Sequence, residues 1–276
     1  MKGQFGGHEI DLGMVLAEIG KTEGRELSFT EMKDARECVW IAAERWVERD
    51  AEILSLASVE TDHACRVDGH AVDFHGILDV TGIFNSRTDK VFGEFKGRVC
   101  IVDWKTKEAG LDSRWREDMK NSWQWRLYAH LTGAAVVWYR GISRTQKDTA
   151  EVIIAVPPSN DEECRDFLEA VYAERQALVD GKFLVWPRRM PYSCNAFGRP
   201  CPFKDDCTSG YTMPQVAVPA RQLSYSSISD FMLCPERHRR KAILGSEGRE
   251  DTDATIFGSA VHRGLAEIYR QILDKQ

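Results

Sequence analysis

The sharpest chemical signal is Val102-Asp103-Trp104-Lys105. An apolar run ends in a carboxylate, and a lysine follows two residues later. Strand side chains alternate faces, so Asp103 and Lys105 share one. The carboxylate can hold a hard divalent cation there, while the ammonium beside it holds or polarises an attacking water and a phosphate. Upstream, Gly76-Ile77-Leu78-Asp79 sets a second carboxylate on another apolar run. Two such acids on neighbouring strands make a usable site for Mg2+ or Mn2+. Taken alone, Asp-x-Lys is a common tripeptide and equally describes a surface ion pair at a strand end.

Past Lys105 lies Gln124-Trp125-Arg126-Leu127-Tyr128. One helical turn puts Gln124 and Tyr128 on one face. Trp104, Trp123 and Trp125 offer flat faces for unpaired bases, or pack inside. Near the other end of the chain, Phe257-Gly258-Ser259-Ala260-Val261-His262 sets an imidazole on an amphipathic pattern. His8, after Gly6-Gly7, is a second histidine that could serve the same centre, and a plain core or surface role remains open for His262.

The second constellation is Cys194, Cys201 and Cys207, on a segment bearing Gly and Pro. Three thiolates so spaced can wrap one inorganic centre, and a fourth closes it. Cys234, before Pro235, is the best fourth. Spacing alone leaves zinc and an iron–sulfur cluster even. Cys38, Cys65, Cys100 and Cys164 sit in helix or strand patterns and read as small buried apolar residues.

The elements that must position these residues follow from periodicity. Residues 29–58 read as one long amphipathic helix opened by Thr30. Residues 75–84 and 98–105 read as strands, 115–131 as a helix, and 134–139 and 151–156 as further strands. A helix over 161–180 is capped by Ser159 or Asn160 and closed by Gly181. Residues 1–28 are Gly-rich and weakly patterned, and 187–220 are loop-like. Ser224 or Ser226 caps a short helix toward Cys234, and Pro235 interrupts it before a helical stretch to Leu244. A polar loop covers 245–253. Residues 255–273 form a strong helix with Val261, Leu265, Ile268 and Ile272 on one side. Helices flanking a run of strands give the α/β class.

The series G-x-x-D, then D-x-K, then Q-x-x-x-Y resembles the core of RecB-like PD-(D/E)XK nucleases. The resemblance implies a restriction-endonuclease-like fold, with a mixed central sheet flanked by helices and a Cys-rich cluster-binding loop. It implies metal ligation by Asp79, Asp103 and the Trp104 carbonyl, a catalytic Lys105, and support from Gln124 and Tyr128. Phe257-Gly258…His262 resembles the family's G-x-x-x-H motif, whose histidine binds metal. The cysteines resemble the iron–sulfur staple of such nucleases, which favours [4Fe–4S] over Zn2+ at Cys194, Cys201, Cys207 and Cys234. The implied activity is a DNA exonuclease on single strands or ends, in recombination, repair or phage DNA processing. A catalytically silent DNA-binding or scaffolding module of the same fold is the alternative.

The motif order departs from the family. Residues 222–276 resemble its opening yet follow the late cysteines. A circular permutation accounts for this most simply, with 1–220 carrying the acidic strands and three cysteines, and 221–276 packing into the same domain. A truncated second copy, or complementation of a neighbouring subunit, are the rival accounts.

Composition sets the bounds. The chain has 276 residues, 43% hydrophobic and 29% charged, enough for a substantial core. The net charge of -6 argues mildly against nucleic acid, although clustered metal-binding acids lower the total. The basic run Arg237–Lys241 reads as a solvated helix face. No apolar stretch reaches membrane-spanning length and no signal-peptide core is present, so a cytoplasmic protein without a membrane partner is expected. Eight cysteines there point away from disulfides. No G-x-x-x-x-G-K-[ST] run occurs, so unwinding would need a helicase or recombination partner, and a homo-oligomer is compatible with the sequence.

Overall fold

The structure, a computed structural model, describes residues 2–5, 8–21, 26–70, 73–85, 92–182, 194, 200–204, 207, 222–244 and 253–276. Most of the Cys-rich loop 187–220 and residues 245–252 of the polar loop lie outside the described residues. The chain divides into two compact units. The first comprises residues 1–63, 77–160 and 251–276, and the second 64–76 and 161–250.

The first unit opens with a hairpin of β1 (Lys2–Phe5) and β2 (His8–Asp11), then α1 (Leu12–Gly20). The long helix α2 (Phe29–Ile53) starts at a capping box. The Ser28 side chain accepts from the Glu31 amide, and Glu31 reaches back to the Ser28 amide. That arrangement satisfies two donors the first turn would leave open. The helix is shorter than its sequence pattern predicts. Chain that continues the amphipathic reading instead enters β3 (Leu54–Arg66), where Leu54 and Leu56 are buried and Ser55 is exposed.

Strands β4 (Asp73–Phe84) and β5 (Val99–Lys107) pair antiparallel, from Ile83↔Val99 to Val80↔Val102. Strands β5 and β6 (Val136–Ser143) pair in parallel, and β6 pairs antiparallel with β7 (Thr149–Ala155). The strand order is β3-β4-β5-β6-β7 in a mixed sheet. A parallel pair needs a crossover, supplied here by α3 (Ser113–Lys120) and α4 (Trp123–Thr132). The single helix expected over 115–131 is split because Asn121 ends α3 and the Ser122 side chain caps α4.

Helix α8 (Asp253–Leu273) completes this unit. Its stripe of Val261, Leu265, Ile268 and Ile272 enters one core with α1, α2 and the inner sides of β5 and β6, including Cys100, Val102, Trp104 and Trp138. Gly264 sits where α8 meets α1 and α2 closely. A Cβ there would come within 2.8 Å of Ile19 and Val39 side-chain carbons.

The core also buries an ionic group. Arg140 pairs with both oxygens of Asp50, and Tyr269 accepts from Arg140 at 3.0 Å while donating to Asp50. Burying either charge alone would cost several kcal/mol, roughly 3–5, so the three side chains act as one unit.

In the second unit, α5 (Asn160–Val179) is followed by β8 (Gln222–Ser224), which pairs in parallel with Asp73–His75 of β4. Ser224 caps α6 (Tyr225–Leu233), and Pro235 opens α7 (Pro235–His238), which passes into a π-helical turn, Arg239–Ile243. The basic run is not a solvated face. Arg239 and Arg240 hold Glu236, Arg237 and Lys241 hold Asp230, and Arg240 and His238 are buried. Two carboxylates, Glu236 adjoining the run and Asp230 one helix earlier, neutralise it.

Candidate active site

The sheet of the first unit forks at its acidic end. The last antiparallel pair is Val80↔Val102, and the next residues outward are Asp79 and Asp103. Beyond them β5 stays paired to β6 as far as Lys107↔Ser143. Strand separation frees the Trp104 amide, and Asp79 Oδ2 accepts from it at 2.6 Å. The other oxygen, Oδ1, lies 3.3 Å from His262 Nδ1. His262 reaches this point from α8, its ring set edge-on to Trp104 at 5.9 Å. The structure therefore brings Asp79, Asp103, Lys105 and His262 together.

Alternation along β5 sends Trp104 into the core and Asp103 and Lys105 to the opposite face. Lys105 ion-pairs with Asp103 and lies 5.6 Å from the Tyr139 ring. On the same side, Gln124 Nε2 donates to the Tyr128 hydroxyl at 3.1 Å. Ser122 fixes the first turn of that helix by accepting from the Gln124 amide. Trp104 and Trp125 are buried, so their rings serve packing rather than base stacking, and Trp123 is half-buried. His8 pairs with Phe5 in the N-terminal hairpin.

Electrostatics separates the two acids. Burial pushes Asp79 upward, but His262, Lys105 and the Trp104 amide outweigh it and hold the carboxyl below its usual range. Burial dominates at Asp103, and the neighbouring Asp79 charge adds to it; Lys105 offsets only part, so the group rises to about 6. Burial lowers Lys105 and His262, yet the acids reverse this and raise both. Tyr128 is raised by burial and by the Asp103 charge. Such a pair of unlike carboxyls beside a cation is a common mark of a reactive centre.

Among the described residues, no group of three or more His, Cys, Asp or Glu side chains has converged into a ready-made metal cage. The acids are drawn instead onto Lys105, His262 and the Trp104 amide. The donor set nevertheless fits a hard divalent cation, which prefers carboxylate oxygen with limited help from imidazole. Asp103 Oδ2 supplies the specific observation. It is buried and, among the described residues, ion-paired with the Lys105 ammonium without an aligned hydrogen bond. A cation would satisfy that oxygen.

In the second unit, Cys194 and Cys234 are buried and Cys201 is half-buried. The Cys201 amide donates to the Cys194 carbonyl at 2.7 Å, and Cys207 donates to the Phe203 carbonyl at 2.9 Å. Burial raises the Cys201 thiol, and Cys194 and Cys234 are near enough to raise it further. Cys207 lies close enough to Arg239 to raise its guanidinium. Soft thiol donors suit a thiolate-bound centre, but among the described residues these four do not converge into a group that could hold one.

Sequence reasoning missed the polar side chains beside His262 on its helix, two hydroxyls and a guanidinium. Thr255, Ser259 and Arg263 recur at i, i+4, i+8, so they share a helix face with His262. That spacing was the available signal, masked by the stronger apolar stripe on the opposite face.

No helix among the described residues is long and apolar enough to cross a membrane. No curated protein matches the chain. The PD-(D/E)XK nuclease superfamily matches residues 15–208 and 222–276, a span that holds both strand acids, the lysine, the Gln–Tyr pair and His262. The mixed sheet with flanking helices is the architecture expected of that match. The chain belongs to the PD-(D/E)XK nuclease superfamily.

Proposed function

We propose that this chain is a RecB-like DNA exonuclease dependent on Mg2+ or Mn2+, acting on single-stranded DNA or DNA ends. The observation that carries the reading is the placement of Asp79 and Asp103 just past the last strand pair, with Lys105 and His262 beside them. Membership of a nuclease superfamily supports phosphodiester hydrolysis over other cation chemistry.

Asp79, Asp103, His262 and the Trp104 carbonyl would hold the cation. When bound, it supplies charge neutralisation at the phosphate and an activated water. Asp79 is held ionised by its neighbours and anchors the centre at neutral pH. Asp103 is ion-paired with Lys105 and would be the second carboxylate to hold the cation. Lys105, on the same face of the strand, is placed to orient a water at the phosphate and to donate positive charge where negative charge develops. Tyr128, tied to Gln124, borders the Asp103–Lys105 face and limits the positions the lysine can take.

The four cysteines Cys194, Cys201, Cys207 and Cys234 hold a [4Fe–4S] cluster in this reading, as a structural staple of the second unit. Zinc is the alternative occupant. His262 is supplied by the end of the chain, after the cysteines, which we attribute to circular permutation. The packing of α8 into the core beside β5 supports that account. Recombination, repair or phage DNA processing, with a helicase partner for duplex substrates, are settings that suit the activity.

The test compares end-labelled linear DNA with covalently closed circular single strands, each with Mg2+ or Mn2+. Loss of linear substrate alone supports an exonuclease, and the product ladder gives its polarity. Cutting of circles contradicts the exonuclease assignment. Binding without any cutting points to the silent module.

A further inference from the structure

An open pocket of about 410 Å3 lies on α8 directly beside the acidic centre. Its side-chain walls are Glu60, Thr106, Thr255, Ser259, His262 and Arg263. We propose that this pocket binds the nucleotide next to the scissile phosphate, gripping that nucleotide's own phosphate with Arg263 and the three hydroxyls. The proposal rests on the nuclease reading and assigns residues that reading leaves unused.

Position argues for it first. His262 belongs to both places: its Nδ1 lies 3.3 Å from Asp79 Oδ1, and its ring lines the pocket. Thr106, two residues past Trp104, lies on the face of β5 that meets α8, opposite Lys105. His262 is thus the link: a strand whose scissile phosphate sits at Asp79 and His262 has its neighbouring phosphate within reach of this pocket. Gly258 makes the junction close. A Cβ there would sit 2.7 Å from the Thr106 hydroxyl, so only glycine lets α8 approach β5 with that hydroxyl in the wall.

Chemistry argues for it second. Among the described residues no apolar side chain lines the pocket, which argues against a greasy ligand. A guanidinium with several hydroxyls is the usual donor set for backbone phosphate. The volume falls within the range of small-ligand sites, roughly 300–1,000 Å3, and exceeds what a phosphate alone would fill. Glu60 stands among these donors as an acid. Its carboxylate is ion-paired with Arg270, so its charge is offset. It remains an acceptor for a sugar hydroxyl or a base amino group of the same nucleotide.

The experiment is fluorescence anisotropy of a short single-stranded oligonucleotide over a salt series, with chelator present to prevent cleavage. Wild type is compared with Arg263→Gln and Ser259→Asp. Ser259 is exposed, so its substitution leaves the core intact. Both variants should bind roughly tenfold more weakly. Arg263→Gln should also flatten the log–log salt dependence by about one. Wild-type affinity and slope in both variants, from a protein that binds and cleaves DNA, would overturn the pocket assignment and leave the nuclease reading standing. A wild-type protein that neither binds nor cleaves DNA would overturn both.

Discussion

Asp79 and Asp103 are the first residues past the last antiparallel pair of their strands, Val80↔Val102. The fork does two things at once. It exposes backbone that Asp79 must satisfy, and it leaves both acids where the proposed cation would sit. The Trp104 amide takes one oxygen of Asp79 and His262 the other. Replacing Asp79 by Asn should cost activity through lost charge and also loosen the strand end. Asp103→Asn should lower cleavage by roughly 10²–10⁴-fold while leaving the unfolding midpoint near wild type. Equal losses of stability in both variants would contradict this division of roles.

His262 and His8 make opposite predictions. His262→Ala should weaken Mn2+ binding by at least roughly tenfold, measured by calorimetry, and reduce cleavage in step. His8→Ala, in the hairpin, should change neither. The reverse result would remove α8 from the metal centre, and with it the case for a permuted motif order.

The Asp50–Arg140–Tyr269 group gives a stability prediction free of catalysis. Asp50→Ala leaves the Arg140 guanidinium buried and unpaired, and should destabilise by about 3–5 kcal/mol. Tyr269→Phe removes one hydrogen bond from a charged network and should cost about 1–2 kcal/mol. Urea unfolding of the two variants checks both values. A cost below about 1 kcal/mol for Asp50→Ala would mean the pair is solvated.

His238 predicts acid sensitivity of the second unit. Arg175 donates to its Nε2 at 3.2 Å, and Nδ1 lies 3.1 Å from the Ser227 carbonyl, which fixes the neutral, Nδ1-protonated ring. Burial, reinforced by the Arg175 charge, lowers the group from 6.5 to about 4. The unfolded chain therefore binds one more proton between those values, and stability falls as pH drops through that window. The full loss is about 3 kcal/mol. NMR titration of the ring should show it neutral at pH 5 (roughly one unit above its folded value), and protonation near 6.5 would contradict the burial argument.

The cysteine proposal is settled by colour and metal content. Anaerobically purified protein should be brown, absorb at about 400 nm and carry about four irons per chain. Cys234→Ser should lose the colour and destabilise the second unit. A colourless protein with one zinc would replace the cluster with the alternative centre.

Much of the frame was legible because it rests on short-range pattern. The alternation of Cys100, Val102 and Trp104 against Asp103 and Lys105 marks β5, and the stripe from Val261 to Ile272 marks α8. The N-terminal hairpin was not legible, since Lys2–Phe5 and His8–Asp11 are too short and Gly-rich to show a period. The start of β3 was hidden because Leu54-Ser55-Leu56 extends the pattern of α2 as well as it begins a strand. At the candidate site, residue types could be read, but the fork could not. Nothing local in the sequence says where β4 and β5 part, or that the Trp104 amide would need Asp79. The basic run failed in part for a related reason: Asp230 reaches Arg237 and Lys241 through the way α6 and α7 turn against each other, although Glu236 adjoins the run and pairs across one turn.

The central claim is that Lys105, beside Asp103, acts in phosphodiester hydrolysis. Single-turnover cleavage of end-labelled single-stranded DNA with Mn2+ tests it most directly, comparing wild type with Lys105→Ala at equal DNA occupancy. The account predicts cation-dependent cleavage by wild type and a loss of roughly 10²–10⁴-fold in the variant, with DNA still bound. Cleavage by Lys105→Ala at the wild-type rate would contradict it.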